Sequence, residues 1–208
     1  SAHDANTGEL EWRFNTIAKA NEPGGDTWGE LPNLFRAGGE TWITGSYDPD
    51  LKLTYWGTAQ QKPWVPVSRH LTIDDVGLFT NSTVAVSTDT GELDWFFQHV
   101  PAEALDLDEV FERILVNRGD DKLVFSLGKY GILWKNDRVS GEFQDYKETV
   151  FQNAFTDIDD KTGLVTYRED IQNAKLNEWT SACPSSAGGK DWHSMTYHPP
   201  TGTMIAPL

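Results

Sequence analysis

The sequence predicts an all-β protein assembled from the four-stranded blades of a β-propeller, on three observations. A long motif repeats: "AHDANTGELEW" (2–12) recurs as "AVSTDTGELDW" (85–95), with Ala, Thr-Gly-Glu-Leu and Trp in register 83 residues apart. Short aromatic and β-branched runs separated by turn residues fill the space around these copies. Nine tryptophans accompany 18 glycines, a pairing that suits aromatic packing between sharply turning strands.

Each repeat reads as strand, tight turn and return strand. Asp or Asn opens the turn by bonding its own backbone, and Gly supplies the positive φ that closes it. Weaker echoes occur at "NDRVSGEFQDY" (136–146), "IDDKTGLVTY" (158–167) and "YHPPTGTMI" (197–205). The candidate strands are "ETWITGSYD", "LKLTYWGT", "STVAVST", "LDWFFQHV", "KLVFSL" and "GILWKN". The 83-residue spacing corresponds to two units of ~40 residues, the size of a propeller blade. A 50-residue offset to Gly141 implies unequal loops. A β-sandwich with incidental turn similarity is the competing architecture. Little helix is expected: "DEVFERILVN" has apolar residues at helical spacing but reads equally well as a strand leaving an acidic loop.

The 208 residues suffice for one good core or two small ones. A net charge of -15 argues against nucleic acid or an anionic membrane as a partner and suits solubility, a cationic partner or a metal ion. No apolar run is long enough to span a membrane, and the single Cys183 excludes an internal disulfide. The chain opens inside a repeat and closes just after a turn, so residues 1–208 read as one partial propeller domain, incomplete at both ends. The densest chemical signal is "PAEALDLDEVFERIL" (101–115), which carries Glu103, Asp106, Asp108, Glu109 and Glu112. Such crowding requires either screening by water on a solvated face or a positive charge among the carboxylates.

The repeat "AxDxxTGxxxW" resembles the tryptophan-docking motif of the quinoprotein alcohol dehydrogenases, which carry pyrroloquinoline quinone (PQQ). The resemblance extends through "GGETWITGSYDPDLKLTYWGTAQQKPW" (38–64), "DWFFQHVPAEALDLDEVFE", "VFSLGKYGILWKNDRVSGE" and "CPSSAGGKDWHSMTYHPPTG", in the family's order over nearly the whole chain. It implies three to four blades of an eight-bladed propeller, in which the Trp of one blade stacks between the Ala and Gly of its neighbour's motif.

The resemblance also implies roles. Asp106 matches the catalytic aspartate that takes the alcohol's hydroxyl proton while hydride passes to C5 of PQQ. The metal beneath the quinone would be held by Gln60, Asp106 and Asp108, and would act as a Lewis acid. A second aspartate two positions after the first is the lanthanide-type pattern, because a hard trivalent ion benefits from one more anionic oxygen; calcium is the alternative. Trp42 matches the tryptophan floor under the flat quinone. Lys129 matches the cation on the reacting carbonyl, and Asp191 and Trp192 lie where the family contacts the cofactor's rim.

Several departures stand out. Gln60 replaces the usual Asn, Glu40 replaces a Thr before the floor tryptophan, and Asp191 stands where Asn is common. The family's metal-ligating Glu and adjacent-cysteine disulfide would precede Ser1. The implied function is periplasmic oxidation of an alcohol with cytochrome c as electron acceptor, and the resemblance allows a homodimer of the full-length protein. Two other readings compete: a non-catalytic propeller that binds protein partners, and a glycoside hydrolase, which would need carboxylates about 5 or 6.5–9.5 Å apart.

Overall fold

A computed structural model describes residues 1–208. The first hairpin pairs β1 (Ala2–His3) with β2 (Leu10–Trp12). Next come β3 (Ala37–Gly38), β4 (Ser46–Asp48), β5 (Leu53–Gly57), β6 (Gln61–Lys62), β7 (Ser82–Ser87) and β8 (Leu93–Gln98). Of these, β4, β5, β7 and β8 form one antiparallel sheet in that order, and β3 pairs separately with β6. A second four-stranded sheet is a simple meander of β9 (Ile114–Arg118), β10 (Asp121–Leu127), β11 (Ile132–Asp137) and β12 (Phe143–Glu148). Two hairpins complete the chain: β13 (Phe155–Ile158) with β14 (Val165–Tyr167), and β15 (Thr196–His198) with β16 (Thr203–Ile205).

Strand β9 lies beside β4, so the first strands of the two four-stranded sheets are neighbours, as around a propeller axis, and β15 of the β15–β16 hairpin also lies beside β9. The blades then cover each other's faces. Every residue of β7 but the last is buried, because a sheet between two neighbours has no solvated side. Leu53, Tyr55, Ala85 and Trp95 of the first blade share a cluster with Val124 of the second. The same interface holds a buried ion pair, Arg138 to Asp48 at 2.9 Å, and the Tyr55 hydroxyl donates to Arg138 O at 3.2 Å. A larger cluster joins Tyr130, Ile132 and Trp134 to Phe155 and Tyr167 of the β13–β14 hairpin.

The glycine half of the tryptophan-docking expectation is met at both motifs. Trp12 lies on Gly91, with Cδ2 2.6 Å from where a methyl group would project, and its Nε1 donates to Thr88 O at 2.9 Å. Trp95 does the same on Gly141, again with Cδ2 at 2.6 Å, and donates to Arg138 O at 3.2 Å. Glycine is required twice over here: Gly91 and Gly141 have φ of +76° and +77°, and neither has room for a Cβ. The turns close as expected, since Asp4 and Asp137 each accept the backbone N–H groups two and three residues on.

One expectation is corrected, and one ambiguity is resolved. Gly8, Gly91 and Gly141 sit in the β1–β2, β7–β8 and β11–β12 turns, so the 83-residue interval contains one blade rather than two. The excess length lies in excursions before β4 and between β5 and β7, which carry short 3-10 turns at Gly25–Trp28, Asn33–Phe35 and Pro66–Arg69. The ambiguous "DEVFERILVN" is not a helix: Val110 and Phe111 pack with Ala59 and Trp42, and from Ile114 the chain is strand β9. The single α-helix is α1 (Glu169–Gln172).

Candidate functional site

Three segments converge at one end of the blades: the turn after β5, the acidic segment between β8 and β9, and the β10–β11 turn carrying Lys129. Gln60 is buried and donates through Nε2 to the Asp106 carboxylate. Its backbone N–H points to Asp108 Oδ1 at 3.4 Å. Lys129 Nζ donates to Asp108 Oδ2 at 2.9 Å and to Asp106 O at 3.3 Å. Lys129 N also donates to Asp108 O at 3.0 Å, which fixes the turn against the acidic segment. Asp106, Asp108, Gln60 and Lys129 therefore form one connected network.

The aromatic candidates meet beside it. Trp42 packs edge-on to Phe111 at 5.3 Å and shares a cluster with Ala59, the residue before Gln60. Trp192, largely exposed, leans on Trp42 with ring centroids 4.5 Å apart. The loop bearing Trp192 is anchored from below. Lys190 is fully buried, donates to Glu112 Oε2 at 3.0 Å and to Asp191 O at 3.1 Å, and lies 4.2 Å from the Phe111 ring centre. Glu112 Oε1 accepts from Met195 N at 2.6 Å. Gly188 sits directly on Lys129, and Gly189 N donates to Lys129 O at 2.8 Å. The "GGK" run is thus a close-approach element, where a Cβ at Gly188 would meet Lys129 Cα at 2.7 Å.

The acidic crowding has a more distributed explanation than either alternative posed by the sequence. A solvated face is ruled out, because Glu103, Asp108 and Glu109 are buried. No single positive charge serves all five carboxylates. Asp108 takes Lys129, Glu112 takes Lys190, Asp106 takes the Gln60 amide, and Glu103 takes backbone N–H groups and the Tyr130 hydroxyl. Only Glu109 has both oxygens buried without a partner.

Burial raises the Asp106 carboxyl above its ordinary range, with Lys129 opposing. For Lys129, burial disfavours the ammonium, but the hydrogen bond and charge of Asp108 outweigh it and the group sits above the usual lysine value. Burial pushes Glu103 up to about 7 against the pull of Leu105 N–H and the Tyr130 hydroxyl. Glu109 is raised by burial, which the nearby Arg113 and Lys190 only partly offset.

For a hard cation, Gln60 Oε1 is the telling atom: it is buried, unpartnered and borne by the side chain that touches Asp106. With Asp106 and Asp108 it makes an all-oxygen donor set of the right chemistry. The set stops at three residues, and no group of three His, Cys, Asp or Glu converges anywhere in the chain. For a flat aromatic cofactor, Trp42 and Trp192 supply a ring platform beside this network, and Asp191 Oδ1 is a further buried acceptor with no partner. Glu40, in place of the expected Thr, pairs with Lys62 at 2.7 Å and takes no part in the network. The sequence reading did not single out the Glu112–Lys190 bolt, whose partners lie 78 residues apart. It left Glu103 undistinguished among its neighbours.

Residues 1–144 match the family model described as PQQ glucose/ethanol/alcohol dehydrogenase, beta-propeller domain. The chain is 33% identical over its whole length to the quinohemoprotein alcohol dehydrogenase ADH-IIG of Pseudomonas putida, covering 31% of that protein. It is 30% identical, again over its whole length, to the dehydrogenase subunit of the alcohol dehydrogenase (quinone) of Gluconacetobacter polyoxogenes, covering 30% of it. Among solved structures, the ADHIIG enzyme of Pseudomonas putida superposes with a TM-score of 0.86 at 32% identity, over 97% of this chain and 32% of that one. The quinohemoprotein alcohol dehydrogenase of Comamonas testosteroni gives 0.86 at 25% identity, over 98% of this chain and 32% of that one. The chain spans about a third of the length of the relatives it matches.

Proposed function

Because the chain belongs to the PQQ glucose/ethanol/alcohol dehydrogenase β-propeller family, we propose that it is an internal segment of a longer oxidoreductase that oxidises an alcohol to the aldehyde or ketone. The observation that carries this reading is the convergence of Asp106, Asp108, Gln60 and Lys129 in one hydrogen-bonded network beside Trp42 and Trp192.

When bound, PQQ supplies the electrophilic carbon that takes up hydride, and the metal polarises its carbonyl. The chain's own groups do the rest. Asp106 receives the hydroxyl proton on its carboxylate; Gln60 and Lys129 hold that side chain and its carbonyl in place. Lys129 offers its ammonium where negative charge develops. Trp42 gives the flat ring a face to rest on, with Trp192 alongside. Gln60, Asp106 and Asp108 would hold the cation, with further oxygens from outside this chain. The second carboxylate, Asp108, supports a lanthanide over calcium. We further propose a cytochrome c acceptor, which the haem in the quinohemoprotein names of the relatives supports, and a periplasmic location; no helix of this chain is long and apolar enough to cross a membrane.

The Lys129–Asp108 pair favours a second reading, because it neutralises Asp108 with no metal at all: a propeller that keeps the fold and binds protein partners. Reconstitution of the full-length protein with PQQ and either lanthanum or calcium, followed by alcohol-driven dye reduction, separates the two. Turnover with either ion supports the enzyme. Cofactor-independent inactivity with every alcohol under both ions would transfer the assignment to the scaffold.

A further inference from the structure

Glu103 is completely buried and makes no ion pair, an arrangement that is costly unless its carboxylate has other partners. Those partners are arranged around it. Oε1 accepts from Leu105 N at 2.7 Å, Leu107 N at 3.2 Å and the Tyr130 hydroxyl at 2.9 Å. Oε2 accepts from Asp106 N at 3.0 Å. Three successive backbone donors thus wrap one carboxylate, in the manner of an anion nest whose anion is part of the chain.

The wrapping has a price in backbone conformation that falls on Asp106. Its φ is +63°, a left-handed value that non-glycine residues rarely adopt. This twist turns the Asp106 side chain to Gln60 while its carbonyl receives Lys129 Nζ. Tyr130 follows Lys129 directly, so Glu103 ties together both segments of the network. We propose that Glu103 is a positioning residue, the internal template round which the 103–107 loop folds so that the Asp106 carboxylate is held against Gln60 and its carbonyl against Lys129. The inference rests on the reading of Asp106 as the proton acceptor.

The two oxygens divide the work, which allows a selective test. In Glu103→Gln the amide oxygen can keep the Oε1 contacts, while the NH2 group faces the Asp106 N–H donor to donor. In the full-length holoenzyme we expect kcat per bound PQQ to fall ~10–100-fold, the loss that a shift of about 1 Å brings to a reacting group. PQQ content and KM should stay within about twofold. Amide hydrogen exchange should quicken at Asp106 and remain slow at Leu105, a pattern that general destabilisation would not give. An unchanged kcat per bound PQQ, or an Asp106 amide as protected as in wild type, overturns the proposal.

Asp106→Asn, measured in parallel, separates the two levels of the argument. If it retains turnover, the reading of Asp106 fails regardless of Glu103. If it is inactive while Glu103→Gln is fully active, only the positioning role fails. Should Glu103→Gln not fold, Tyr130→Phe decides: it removes one donor to the same oxygen and should lower kcat in the same direction by a smaller factor, and wild-type kcat there overturns the proposal.

Discussion

Replacing Gly141 with alanine would put a methyl group 2.6 Å from Cδ2 of Trp95 while requiring φ of +77°. The backbone term costs about 1–2 kcal/mol for a residue with a Cβ. The contact adds about 1–3 kcal/mol, because the indole is held by its bond to Arg138 O and by the Tyr55 ring and cannot retreat freely. The sum is roughly 2–5 kcal/mol. Gly119→Ala separates the two terms, since Gly119 has φ of +61° but nothing within 4 Å. Urea unfolding of both variants, followed by tryptophan fluorescence, should show Gly141→Ala costing about 1–3 kcal/mol more than Gly119→Ala. Gly8 extends the test. It has the same motif position and φ of +75°, yet nothing lies within 4 Å of it. Gly8→Ala should therefore resemble Gly119→Ala. Equal costs for Gly141→Ala and Gly119→Ala would refute docking as the force that joins the blades.

Other predictions concern the site and its supports. Asp108→Asn keeps an oxygen that can accept from Lys129 Nζ, now 2.9 Å from Oδ2, but removes the negative charge proposed for the cation; lanthanide-supported activity should fall at least ~10-fold more than calcium-supported activity, a difference of about 1.4 kcal/mol, and equal losses would make Asp108 merely structural. Lys190→Met leaves Glu112 Oε2 without its cation and should cost roughly 3 kcal/mol in thermal or urea unfolding. It should also weaken quinone binding, read by tryptophan quenching, because the Trp192 loop loses its anchor; unaltered binding would show that the anchor does not set the platform. Asp159 accepts from Lys161 N, Thr162 N and Thr162 Oγ1 at 2.9, 2.8 and 2.8 Å, and the Thr162 hydroxyl bond leads in holding its carboxyl below the ordinary aspartate value. The unfolded chain therefore binds more protons in that window, so the stabilisation is complete above the ordinary aspartate pKa and is lost as pH falls through the folded value. The stability gap between wild type and Asp159→Asn, measured in urea, should be open near neutral pH and close in strong acid; a gap independent of pH would contradict the assignment.

Much of the fold was legible because its turns are local. Asp4, Asp137 and Asp159 bond the backbone within three residues, so "D-x-x-T/S-G" carries its own geometry. The length of a blade was not legible: the excursions before β4 and between β5 and β7 have no repeating pattern, so 83 residues passed for two units. At the site, Asp106, Asp108, Gln60 and Lys129 were all identified through their motifs, and the structure brings them together. What sequence could not supply was the division of partners among the carboxylates. The Glu112–Lys190 bond spans 78 residues, and Glu103 is satisfied by N–H groups that every residue but proline possesses. Neither leaves a mark in residue type.

On the proposed function, Gln60, Asp106 and Asp108 would hold a hard cation and Trp42 would support the quinone. The most direct test is anomalous diffraction from crystals of the full-length protein loaded with PQQ and lanthanum. A strong peak is expected within ligand distance of all three side chains, with Lys129 released from Asp108. A peak elsewhere, or none while Lys129 still bonds Asp108, would contradict it.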